Sequence, residues 1–214
     1  MFMQNNTGRN VVFLIVFHSF ILFANAQDFK GGLIAGMDVS QVDGDTHGGY
    51  NKAGLIFGGL VNRDFNNKLA WQMEMIYIGK GSKKPVNPDK GQYDYRFIGL
   101  HYIEMPVLLK IKYEKLKLLF EPGLSYGVLF SSKEEDENGE VTSPIIGPFK
   151  KSEFGLILGL NYSITENISL NTRFAYSILP IANKALITIS RVYGGSYNRL
   201  LEFTLRYQFL KNGE

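Results

Sequence analysis

The chain has 214 residues, a formal charge of +3 at neutral pH, no cysteine and 14% aromatic residues. That length is enough for one β-domain. The missing cysteine excludes disulfides and thiolate chemistry, and so small a charge gives no footing for nucleic acid.

The first segment reads as an export signal. Arg9 is the only charged residue before Asp28, and residues 11–23 are apolar except for His18 and Ser19. A spanning helix needs about 20 apolar residues, so this run is too short to anchor the chain. Ala24-Asn25-Ala26 has the small-x-small form of a signal-peptidase site. Residues 1–26 are therefore expected to be removed, leaving a mature domain over 27–214 that begins at Gln27. His18 leaves with the signal. No later stretch is long and apolar enough for a membrane-crossing helix, which does not exclude a membrane barrel.

Eight strands follow, each read from a period of two, because successive side chains leave opposite faces of a pleated backbone. The first covers 29–40, with Leu33, Ala35, Met37 and Val39 on one face. The second, 53–62, carries Leu55, Phe57 and Val61. The third, 69–78, sets Leu69, Trp71, Met73, Met75 and Tyr77 against Gln72 and Glu74. The fourth, 99–113, sets Ile103, Met105, Val107, Leu109 and Ile111 against Glu104, Lys110 and Lys112. The fifth, 117–131, sets Phe120, Leu124, Tyr126, Val128 and Phe130 against Glu121 and Ser125. The sixth, 153–164, has Phe154, Leu156, Leu158, Leu160 and Tyr162 opposite Gly155, Gly159, Asn161 and Ser163. The seventh, 168–178, has Leu170, Phe174, Tyr176 and Ile178 opposite Asn171, Arg173 and Ser177. The eighth, 199–209, has Leu201, Phe203, Leu205, Tyr207 and Phe209 opposite Glu202, Thr204, Arg206 and Gln208.

An apolar row facing a row that holds both charge signs is the pattern of a transmembrane barrel strand, lipid outside and polar lumen inside. The connections alternate long (41–52, 79–98, 132–152, 179–198) and short (63–68, 114–116, 165–167). In an up-and-down barrel alternate connections share a rim, so long loops gather at one end and tight turns at the other. The expected fold is all-β, an eight-stranded antiparallel up-and-down transmembrane barrel. Closure removes every unpaired edge, each unpaired group costing several kcal/mol in hydrocarbon. Pro106 and Pro122 each delete a ladder donor. The short fourth turn places them almost opposite one another, and a shared bulge is expected there.

The stretch Tyr102-Ile103-Glu104-Met105-Pro106-Val107-Leu108-Leu109-Lys110 resembles the Y-x-E-[aliphatic]-P-x-x-x-K signature of the PorT-like outer-membrane β-barrel family. Gly31-Gly32-Leu33 with Gly36 and Ser40, Glu74 with Tyr77 and Lys80-Gly81, Glu121-Pro122-Gly123, and Arg206-Tyr207-Gln208-Phe209 are similar to its other strands. Residues 210–214 follow Phe209, whereas barrels of this kind commonly end on an aromatic residue. The resemblance implies an integral protein of the cell outer membrane. It further implies a structural or accessory role in the envelope, with secretion or motility components as partners.

Seven charges fall on inward positions: Glu74, Glu104, Lys110, Glu121, Arg173, Glu202 and Arg206. With eight strands the interior is just wide enough to be filled by side chains, so a self-neutralising plug is expected over an ion path, with Lys110 in diagonal reach of Glu121. No catalytic, cofactor-binding or metal residue is assigned. Catalysis would need a histidine beside a nucleophile. Only His47, in a Gly-rich loop with Asp43 and Asp45, and His101, at the start of the fourth strand, remain after signal removal. Lys80, Lys83, Lys84 and Lys90 make the second long loop basic, and Glu134, Glu135, Asp136, Glu137 and Glu140 make the third acidic. The expected partners are outer-membrane lipid and lipopolysaccharide. Two alternatives stay open: a soluble exported lipocalin-like barrel for an apolar ligand, and a small channel.

Overall fold

The structure is a computed structural model that describes residues 29–46, 48–91, 93–141, 146–183 and 194–209. Residues 1–26, where an export signal is expected, His47 and residues 210–214 lie outside them. The strands are β1 (Lys30–Asp43), β2 (Lys52–Asp64), β3 (Leu69–Lys84), β4 (Arg96–Tyr113), β5 (Leu118–Asp136), β6 (Gly139–Glu140), β7 (Ser152–Ser163), β8 (Ile168–Ser177) and β9 (Tyr197–Gln208). β6 is a two-residue return on the tip of β5. The other eight form a closed antiparallel barrel, sealed where β9 pairs with β1 through Asp38↔Glu202 and Ala35↔Leu205.

The sidedness follows the alternation. On β9, Phe203 and Leu205 stand 48% and 49% exposed on the outer wall, while Glu202 and Arg206 are 1% and 3% exposed within. The inner wall is not purely polar. Ile34, Ile56, Ile76, Ile78, Leu100 and Leu200 pack into one buried cluster that shares the lumen with the charges. Glycine lets the strands approach closely where a Cβ has no room. A Cβ on Gly58 would lie 2.1 Å from the Met75 carbonyl oxygen across the β2–β3 pair.

Local chemistry closes the short turns. Asn66 Oδ1 accepts from the backbone N–H groups of Lys68 (2.8 Å) and Leu69 (2.9 Å), an Asx turn joining β2 to β3. Thr165 Oγ1 does the same for Asn167 (3.2 Å) and Ile168 (3.0 Å) between β7 and β8. A single 3-10 turn, Glu114–Leu116, links β4 to β5.

β1 to β5 all run longer than the alternation alone indicated, and the last three run furthest. β3, β4 and β5 run to 16, 18 and 19 residues, against 12, 10 and 12 for β7, β8 and β9. About ten tilted residues cross the apolar band, so this wall rises roughly 15–20 Å beyond it on the long-loop side.

The shared proline bulge is corrected. Pro106 pairs with Ser125, three residues along β5 from Pro122. Each proline interrupts only the ladder its missing N–H would join. Between β3 and β4 the pairing steps from Met73↔Val107 to Ile76↔Glu104, around Pro106. Between β4 and β5 it steps from Leu108↔Gly123 to Ile111↔Phe120, around Pro122. The register shift lies higher, at His101/Tyr102, where Tyr102 faces Leu129 and His101 faces Ser131. Phe130 is the extra residue there.

Candidate functional site in the barrel lumen

All seven charges read from the sequence are buried inside the barrel. They fall into two tiers. In the lower tier Arg173 on β8 reaches across to Glu74 on β3, which lies on the opposite wall of the ring. Its Nη1 donates to Glu74 Oε2 (2.8 Å) and its Nη2 to Oε1 (2.5 Å), a bidentate fork. Arg206 Nη1 donates to both oxygens of Glu121 (2.9 Å each), and its Nη2 lies 3.2 Å from Glu74. Lys110 Nζ donates to Gln72 Oε1 (2.8 Å) and stands 3.8 Å from Glu121. Gln72 in turn donates to Glu74 (2.5 Å), and Asn171 to Glu121 (3.0 Å).

The upper tier is built around Lys80, which is expected from the sequence in the second long loop. That placement is corrected. β3 continues past Ile78, Lys80 keeps the inward parity of Gln72 and Glu74, and it is 1% exposed. Its Nζ pairs with Glu104 and donates to Glu153 Oε1 (2.9 Å). Asn198 Nδ2 donates to the other Glu153 oxygen (2.7 Å), and Lys80 lies over the Tyr102 ring at 5.1 Å. Glu202 sits between the tiers, 3.7 Å from Arg173 Nη1. Glu134, Glu135 and Asp136, read as loop acids, belong to β5; Glu134 is buried, and Glu135 pairs with Lys133 at 2.5 Å.

The remaining candidates fall outside this network. Lys112 pairs with Asp64 at the short-turn rim (2.5 Å). His101 points outward, its Nδ1 2.7 Å from the Tyr77 hydroxyl, in an aromatic strip with Phe57 and Phe130. Asp43 accepts from Gln41 Nε2 (2.7 Å) and lies 3.3 Å from Arg199. Lys84 pairs with Asp94 above the band. At the short-turn mouth a polar cavity of about 130 Å³ lies beside Lys30, Lys112, Gln208 and Asn161 and ends at Lys110.

Apolar residues cover the outside and paired charges fill the inside of a closed ring. The outer membrane protein beta-barrel domain family matches residues 25–183. The chain belongs to that family. β9, which completes the ring of this outer membrane protein beta-barrel domain, lies beyond the matched stretch. The fold is similar to that of neisserial surface protein A, at 12% identity and TM-score 0.48 over 85% of this chain and 97% of that one. It is also similar to Ail of Yersinia pestis, solved with the heparin analogue sucrose octasulfate, at 13% identity and TM-score 0.47 over 85% and 99%. OprG of Pseudomonas aeruginosa aligns at 13% identity and TM-score 0.30 over 86% and 95%. Nothing among curated proteins matches the chain. The protein resides in the cell outer membrane.

Proposed function

We propose that the protein is a non-enzymatic structural or accessory component of the outer membrane, its lumen closed by its own ion pairs. The observation that carries this reading is the Arg173–Glu74 fork, which spans the barrel from one wall to the other. In a low-dielectric interior such a pair is strong, and separating it would strand two buried charges. The inward isoleucines and leucines share the lumen with these charges. Among the described residues the one histidine, His101, is committed to Tyr77 on the outer wall, so no histidine base faces the lumen. Outer-membrane lipid and lipopolysaccharide are the partners of this reading. Protein purified from membranes is expected to begin at Gln27 by intact mass, with the export segment 1–26 removed. It is also expected to give no stable single-channel conductance in planar bilayers, and a steady unitary current would overturn the plug.

A PorT-like role beside a secretion or gliding machine is the finer form of the same reading. It is supported by the Tyr102, Glu104, Pro106 and Lys110 signature, whose Tyr102, Glu104 and Lys110 all face the lumen network. Deletion of the gene is expected to impair export of surface proteins or gliding; a strain normal in both would remove the proposal.

A further inference from the structure

The outer wall carries a cleft at the short-turn rim that the lumen network does not use. Two adjoining open depressions of about 590 and 620 Å³ lie between the β2–β3 turn and the end of β4. They share Asn67, Lys68 and Ile111. The Lys112 backbone N–H donates to the Lys68 carbonyl oxygen (2.8 Å), which fixes the turn against β4. Leu69 and Ile111 are register partners and form an apolar floor continuous with the lipid-facing wall. Tyr113, fully 65% exposed, stands at its edge. Lys68 and Lys115, from the two short turns, line its turn-side margin.

Charge separates this cleft from an ordinary stretch of girdle. Lys30 and Lys112 on the same rim are both spent on Asp64, at 2.9 and 2.5 Å. Lys68 and Lys115 have no ion pair among the described residues. Short turns of outer-membrane barrels face the periplasm, where the adjoining leaflet is phospholipid. An apolar floor running into hydrocarbon, topped by two cations and the Asn67 amide, matches a phosphodiester with acyl chains attached.

We propose that this cleft is a seat for a phospholipid of the periplasmic leaflet. The phosphate lies between Lys68 and Lys115, and an acyl chain runs over Leu69 and Ile111. The proposal rests on the reading of the chain as a lipid-embedded envelope protein, but it does not depend on the lumen being closed or on any secretion role.

The test is native mass spectrometry of the full mature chain titrated with phosphatidylethanolamine and with phosphatidylglycerol. The first bound lipid is expected to weaken more than about fivefold per lysine in Lys68→Glu/Lys115→Glu, fivefold being the scale of losing one cation beside an anionic headgroup. Lys68→Gln/Lys115→Gln is expected to weaken it less, and serves if the charge reversal impairs insertion. The opposite-rim pair Lys83→Glu/Lys133→Glu is expected to leave the first lipid unchanged. Equal lipid retention by all variants would overturn the seat. So would displacement of the lipid by inorganic phosphate, which would mean that the lysines read a free anion. Conductance and export are read in separate assays, so failure here is distinguishable from failure of the functional reading.

Discussion

Arg173→Met is expected to lower folding stability by about 3–5 kcal/mol, the cost of removing one partner from a buried ion pair. The guanidinium does three things at once. It forks onto Glu74 at 2.8 and 2.5 Å, lies 3.5 Å from Glu121, and stands 3.7 Å from Glu202. Methionine fills similar volume but leaves Glu74 and Glu121 to Arg206 and Lys110, and takes from Glu202 the guanidinium it pairs with. Urea unfolding from lipid vesicles, followed by the fluorescence of Trp71, the one tryptophan of the chain, gives the free energy directly. Glu74→Gln added to Arg173→Met should recover part of the loss, because the two residues share one interaction and their effects cannot add. A loss under about 1 kcal/mol, the range of solvated pairs, would mean that water screens the lumen and that the plug reading is wrong.

The parts of the barrel that could be read from sequence are those where one face meets lipid. There the period of two is enforced at every second residue, as in Phe203, Leu205 and Tyr207 against Glu202, Thr204 and Arg206, and a one-residue slip would turn charges into hydrocarbon. Glu74, Glu104, Glu121, Arg173 and Arg206 were legible for that reason. Above the apolar band the outer face has no lipid to satisfy, so the alternation loses its contrast while the strands continue. Gly79-Lys80-Gly81 looks like a turn, yet the chain stays extended through it to Lys84. Gly81 supplies a positive φ of 137° and a Cβ-free approach to the Ile98 carbonyl oxygen, where a Cβ would lie 1.9 Å away. Glycine there keeps two backbones close and does not end the strand.

The prolines teach a related point. Register counted from a turn is only as good as the turn's length, and the β4–β5 connection, Glu114–Leu116 with Lys117 at φ 52°, shifted the expected pairing enough to separate Pro106 from Pro122. Glu153 and Asn198 were missed differently. Each sits at a strand start beside a long loop, where the outer face has no lipid to mark the alternation. Parity counted upward from Gly155 and downward from Glu202 does place both inside.

Lys80→Met turns that misreading into a measurement. A lysine in a solvated loop could be replaced at a cost within about 0.5 kcal/mol, the usual range for surface substitutions. The structure instead puts Lys80 between Glu104 and Glu153, with Asn198 on the far oxygen of Glu153. Removing the ammonium strands two carboxylates, so a loss of about 3–5 kcal/mol is expected by the same unfolding assay. Lys83→Met, three residues along the same strand and half-buried at the margin, is the internal comparison and should stay near zero. The pairing also has a sign that charge removal can test. Glu153→Gln in the Lys80→Met background should regain stability, because it deletes one of the two uncompensated charges, whereas in the unmodified chain the same change should cost stability. If Lys80→Met and Lys83→Met behave alike, β3 does not carry its inward face past Ile78 and the upper tier of the network does not exist.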